Sequence, residues 1–138
     1  MKNLVCMFLM VFALSVSAQS DKQDWLTDYK AAITAAKTQD KPLLVFAVDG
    51  SDSEALRLLE QEFFQWEGLK SMADEVIFLK LDIDSDLYAK RMAIHLTKSK
   101  TTPALALASN DQSVIGTPLN KITPQNIKTF IEFLNETL

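Results

Sequence analysis

An unbroken apolar run, Leu43-Leu44-Val45-Phe46-Ala47-Val48, stands between Pro42 and Asp49-Gly50, and it restricts the fold more than any other stretch. Consecutive apolar residues without polar alternation leave no side for water, so the run predicts a strand covered on both faces of a sheet. A helix follows. Ser51 and Glu54 have the spacing of a capping box, which predicts a helix from about Asp52 with its free N–H groups turned toward the preceding turn. Such an end favours anions or an ionised nucleophile. The turn nevertheless holds no Cys, His or Lys, and Ser53 is the only hydroxyl inside the helix's first turn.

The chain opens on Lys2, an apolar run from Leu4 to Leu14 and the small residues Ser15-Val16-Ser17-Ala18. This is the pattern of an export signal over residues 1–18, with a mature start near Gln19 and a periplasmic or extracellular product. An uncleaved anchor is the competing reading, although the apolar run is short for a span and polar residues follow at once. Cys6, the only cysteine, falls within that signal. Residues 19–138 therefore hold no thiol; they can form no disulfide in an oxidising compartment and cannot use cysteine chemistry. Without Lys2, 13 basic residues face 18 acidic ones, which gives no electrostatic case for nucleic acid or anionic lipid as partner. Length and a 48% hydrophobic content point to one globular domain over residues 19–138.

Along that domain, Trp25, Leu26, Tyr29, Ala32, Ile33 and Ala36 recur at helical spacing and predict an amphipathic helix of about four turns with Asp24 as its cap. The Trp25 and Tyr29 stripe fits core packing better than a ligand surface. Pro42 ends the helix. After the central strand and second helix, Gly68 marks a break before Leu69 to Ala73, and Val76 to Leu81 predicts a second strand. Asp82-Ile83-Asp84-Ser85-Asp86 opens like a calcium loop, but Leu87 replaces its glycine and Ala93 its final glutamate, so a helix cap near Ser85 or Asp86 is the simpler reading. A third helix carries Leu87, Met92, Ala93 and Leu96. Pro103 then precedes a strand from Ala104 to Ala108, a turn at Ser109-Asn110-Asp111 and a short strand from Ser113 to Gly116, forming an antiparallel hairpin. Thr123-Pro124 caps a last helix bearing Ile127, Phe130, Ile131 and Leu134.

Taken together, Trp25-Leu26-x-x-Tyr29 before Ala36-Lys37, Lys41-Pro42 before the apolar strand, Gly50-Ser51-Asp52, Leu81-Asp82-Ile83-Asp84 and Thr102-Pro103 opening a strand resemble an exported thioredoxin-like protein. The resemblance extends from about Trp25 to Leu134. It implies an α/β thioredoxin-like fold, a mixed central sheet flanked by helices on both faces, with Pro103 in cis beside the turn. It also exposes departures. The family's C-x-x-C at the helix start falls on Ser53-Glu54-Ala55-Leu56 within one residue of gap placement, the central strand lacks a buried acid, and Ala104 follows the proline where the family commonly has Thr. Dithiol exchange needs two sulfurs, and hydroxyls cannot replace them.

No other chemistry is well supplied. Ser53 as a nucleophile needs a base within hydrogen-bond reach, and the sole imidazole, His95, lies near the end of the third helix. One His without Cys makes a poor transition-metal set, and no metal or other cofactor is expected. The expectation is a redox-inactive domain that binds a protein or peptide. In the family the groove between the helix-start turn and the cis-proline loop takes extended chains, which implies Gly50, Ser51, Asp52, Ser53, Thr102, Pro103 and Ala104 as contacts. Two alternatives stand beside it: these residues serve only to shape the turn and loop, or the protein takes part in thiol-disulfide exchange using a partner's or substrate's cysteine.

Overall fold

The computed structural model describes residues 24–138; the export signal expected over residues 1–18, with Cys6, lies outside them. Among the described residues nine elements follow in order: α1 (Tyr29–Gln39), β1 (Leu43–Val48), α2 (Glu54–Glu62), α3 (Gly68–Ser71), β2 (Ile77–Asp82), α4 (Leu87–Thr97), β3 (Ala104–Ala108), β4 (Val114–Leu119) and α5 (Pro124–Thr137). The four strands form one sheet in the order β2-β1-β3-β4. β1 runs parallel to β2 and antiparallel to β3, and β3 is antiparallel to β4. The expected mixed sheet with helices on both faces is the observed architecture.

Every residue of β1 is buried. Because side chains alternate along a strand, Leu44, Phe46 and Val48 meet Leu59 of α2 and Ile127, Phe130 and Leu134 of α5. Leu43, Val45 and Ala47 meet Ala32, Ile33 and Ala36 of α1 and Ala89, Ala93 and Leu96 of α4. Full burial of each large apolar side chain contributes roughly 1.5–3 kcal/mol as an upper estimate, so the run that resists any half-exposed placement is also the hinge between two cores. No helix among the described residues is long and apolar enough to cross a membrane.

Three local expectations are corrected. The first helix begins at Tyr29 rather than near Trp25, because the Asp28 carboxylate accepts from the Lys30 amide at 3.0 Å and caps it there. Before that cap the chain is extended: the Leu26 amide donates to Phe78 O at 2.9 Å and the Lys80 amide to Leu26 O at 2.8 Å, a single parallel bridge onto β2. The second helix is capped by Ser53, whose Oγ accepts from the Leu56 amide at 3.1 Å, and not by Ser51. The last strand continues past Gly116 to Leu119. A positive φ of 68° at Gly116 accompanies an irregular register opposite Leu105 to Leu107, and an edge strand tolerates Pro118.

Candidate functional site

The antiparallel register that sets Ala47 opposite Ala104 brings the end of β1 and the start of β3 to the same edge of the sheet. The Asp49–Ser53 turn and the Thr102-Pro103 loop are neighbours there as a consequence of strand pairing. In the turn, the Ser51 amide and hydroxyl both donate to Asp49 Oδ1, at 2.9 and 2.5 Å, and Gly50 takes the positive φ of 79° that the reversal requires. Hydrogen bonds from Ser51, first its hydroxyl and then its amide, with a smaller contribution from the nearby Thr102 side chain, hold the Asp49 carboxyl below the usual carboxylate range. A donated hydrogen bond stabilises the ionised form. The Thr102-Pro103 peptide bond is cis.

The seven residues implied as contacts are therefore gathered at one edge, but they are not equally open. Gly50, Ser51 and Asp52 are exposed and Ser53 and Thr102 half-buried, whereas Pro103 and Ala104 are buried. Ala104, at 0% exposure, belongs to the sheet interior, so only its backbone and that of Pro103 could face a bound chain. Asp52 is held by Arg57 in an exposed, two-pronged ion pair of 2.6 and 3.2 Å, whose hydrogen bonds and charge keep the Asp52 carboxyl low and the Arg57 guanidinium high.

The remaining candidates are dispersed. His95 is exposed in the last turn of α4, which packs on the opposite face of the sheet from α2, the helix that Ser53 caps. In the acidic stretch after β2, Asp82 Oδ1 accepts from the Asp84 amide at 2.9 Å and Asp86 Oδ1 from the Ala89 amide at 2.6 Å. These carboxylates terminate a strand and start a helix. Among the described residues no cluster of His, Cys, Asp or Glu is arranged to hold a metal ion.

Sequence reasoning missed a cavity of about 770 Å³ that begins at Gly50 and Ser51 and extends beneath α2 toward β2, lined by Trp25, Phe46, Leu56, Phe64, Trp66 and Lys80 among others. Trp25 reaches it because its segment is extended. Its ring stands 5.0 Å from Phe78, 5.8 Å from Phe46 and 6.0 Å from Phe64, and Phe46 lies 4.9 Å from Phe64. These tilted and edge-on contacts are favourable aromatic geometries. The sequence signal was there, in Phe63-Phe64-x-Trp66 and in a lysine interrupting an apolar strand at Lys80.

A family model described as thioredoxin-like matches residues 24–108. No curated protein matches the chain. Among solved structures, one described as a DsbH oxidoreductase is similar at 12% identity with a TM-score of 0.65, over 83% of this chain and 83% of that one. A disulphide isomerase from Xylella fastidiosa Temecula1 is similar at 17% identity with a TM-score of 0.54, over 83% of this chain and 99% of that one. At these identities the likeness is one of fold.

Proposed function

Since the chain belongs to the thioredoxin-like family, we propose that it is an exported, redox-inactive member that binds an extended protein or peptide segment at the edge where the Asp49–Ser53 turn meets the Thr102-Pro103 loop. The observation that carries this reading is Ser53. It caps α2 with its own oxygen at the helix start, where the family has a sulfur, and residues 19–138 contain no cysteine. Electron exchange through a disulfide needs sulfur, whereas main-chain pairing with an extended segment does not. The exposed Gly50, Ser51 and Asp52 and the half-buried Ser53 and Thr102 supply polar and backbone groups for such pairing, beside the backbone of Pro103 and Ala104. Export rests on the residue 1–18 pattern.

Amide chemical-shift mapping with an unfolded-protein peptide set tests the reading. Saturable shifts confined to residues 49–53 and 101–105 are expected; shifts scattered elsewhere would defeat it. In parallel, insulin reduction with dithiothreitol should stay at the blank rate. Turnover above the blank would favour thiol-disulfide exchange through another protein's cysteine.

A further inference from the structure

The cavity beneath α2 has a chemistry of its own, separate from peptide binding at the rim. Its volume, about 770 Å³, lies within the roughly 300–1,000 Å³ of sites that take small organic ligands. Its walls are aromatic, with Phe46 and Phe64 in ring contact and Trp25 and Trp66 both lining the space. On the sheet side the one charged lining residue is Lys80. In β2, Ile77, Phe78, Leu79 and Leu81 are buried and Lys80 alone is exposed. Lys80 pairs with Phe46 in the parallel register, and the strand's alternation puts its side chain on the sheet face that carries Phe46 and Phe78. Among the described residues its ammonium has no ion-pair partner. The other charged lining residues, Glu60, Glu67 and Lys70, come from α2 and the start of α3. The helical side thus carries two carboxylates and one ammonium, a net negative charge, whereas the β2 side carries the Lys80 ammonium alone, so a ligand's negative end is favoured on the β2 side.

We propose that this cavity binds a free amphipathic monocarboxylate, with its alkyl or aryl chain against Phe46 and Phe64 between the two indoles and its carboxylate at Lys80 Nζ. Burial of the chain supplies most of the affinity, and the ammonium supplies the preference for an acid over a neutral chain of equal length. Because Lys80 is exposed to solvent, that preference is modest, about fivefold.

The chain's two tryptophans both line the cavity, so intrinsic fluorescence reads its occupation directly. Decanoate, kept below its micelle concentration, should change the emission saturably, with decanol binding about fivefold more weakly. Lys80→Gln should bring decanoate to the level of decanol while leaving decanol unchanged. Amide shifts on adding decanoate should centre on residues 46–51 and 78–81. The proposal is overturned by an emission change that does not saturate, by equal binding of acid and alcohol, by a decanoate affinity indifferent to Lys80→Gln, or by shifts centred on the smaller cavity around Gly116 and Phe133.

Discussion

The Ser53 hydroxyl accepts from the Leu56 amide at 3.1 Å, so the side chain at the start of α2 is engaged in holding the helix rather than poised toward solvent. Ser53→Ala should cost about 1 kcal/mol of stability and Ser53→Asn should cost much less, because Asn satisfies the same orphan amide. Urea denaturation with unchanged m-values checks both. Equal stability of the Ala variant would mean that the cap contributes nothing.

Asp52→Ala should leave stability nearly unchanged, since the Arg57 pair is exposed on both sides and screened by solvent. If Asp52 contacts a bound peptide, the same variant weakens peptide binding. A loss of binding accompanied by a large loss of stability would instead mark Asp52 as structural.

The Asp49 carboxyl is held low chiefly by donors from Ser51, as the Asp52 carboxyl is by Arg57 and the Asp111 carboxyl by Ser109 and Ser113. A folded-state value below the unfolded one means that the unfolded chain binds more protons. The resulting stability is present above the unfolded value of about 3.9 and is lost as pH falls through the folded value. Denaturation midpoints measured against pH should drop at the acid end, and Asp49→Asn should make that drop shallower. An acid limb unchanged by the substitution would refute the linkage.

Tyr29 titrates in the opposite range. Burial, with a smaller contribution from the charge of Tyr88, pushes its phenol up to about 12, and its hydroxyl donates to Gln112 Oε1 at 2.9 Å across 83 residues of sequence. The folded value is above the ordinary one near 10, so Tyr29's contribution is complete below pH 10 and is lost as pH rises toward 12. Tyr29→Phe should cost about 1 kcal/mol at neutral pH through the lost hydrogen bond and should flatten the alkaline loss. Thermal melts across pH 8–12 check it; an unchanged alkaline slope would count against it.

Gly116→Ala should destabilise by more than about 1 kcal/mol, because the backbone there has a φ of 68° and an added Cβ would stand 2.5 Å from the Phe133 ring. Phe133→Leu in the same chain should recover only the steric part, leaving the backbone part. Neutral behaviour of Gly116→Ala in urea would show that the bulge relaxes freely.

How much of this could be read from the residues differs by element. The run from Leu43 to Val48 has one reading, because no alternative placement buries both of its faces, and the Thr123-Pro124 start of α5 carries its cap in the sequence. Trp25 has two. Its spacing to Tyr29 suits a helix, and only the hydrogen bonds between Leu26 and β2, invisible to local pattern, keep it extended. Ser51 and Ser53 compete for one cap; Asp49 decides between them by engaging Ser51 first. The cavity is as invisible to local pattern as the extended Trp25 segment, since its walls come from segments far apart in the chain. The edge that gathers the turn and the Thr102-Pro103 loop follows from register, which pairs Ala47 with Ala104 and cannot be counted from spacing.

One of the two outer strands, β4, ends its run through a kink at Gly116 and a proline at position 118. A foreign strand trying to zip onto that margin would meet a missing donor and a backbone turned out of line within three residues, so growth of the sheet by stacking on further chains stalls there. For a protein whose proposed task is to hold extended polypeptide beyond the ends of the inner strands β1 and β3, that blunt flank keeps capture from spreading into polymerisation.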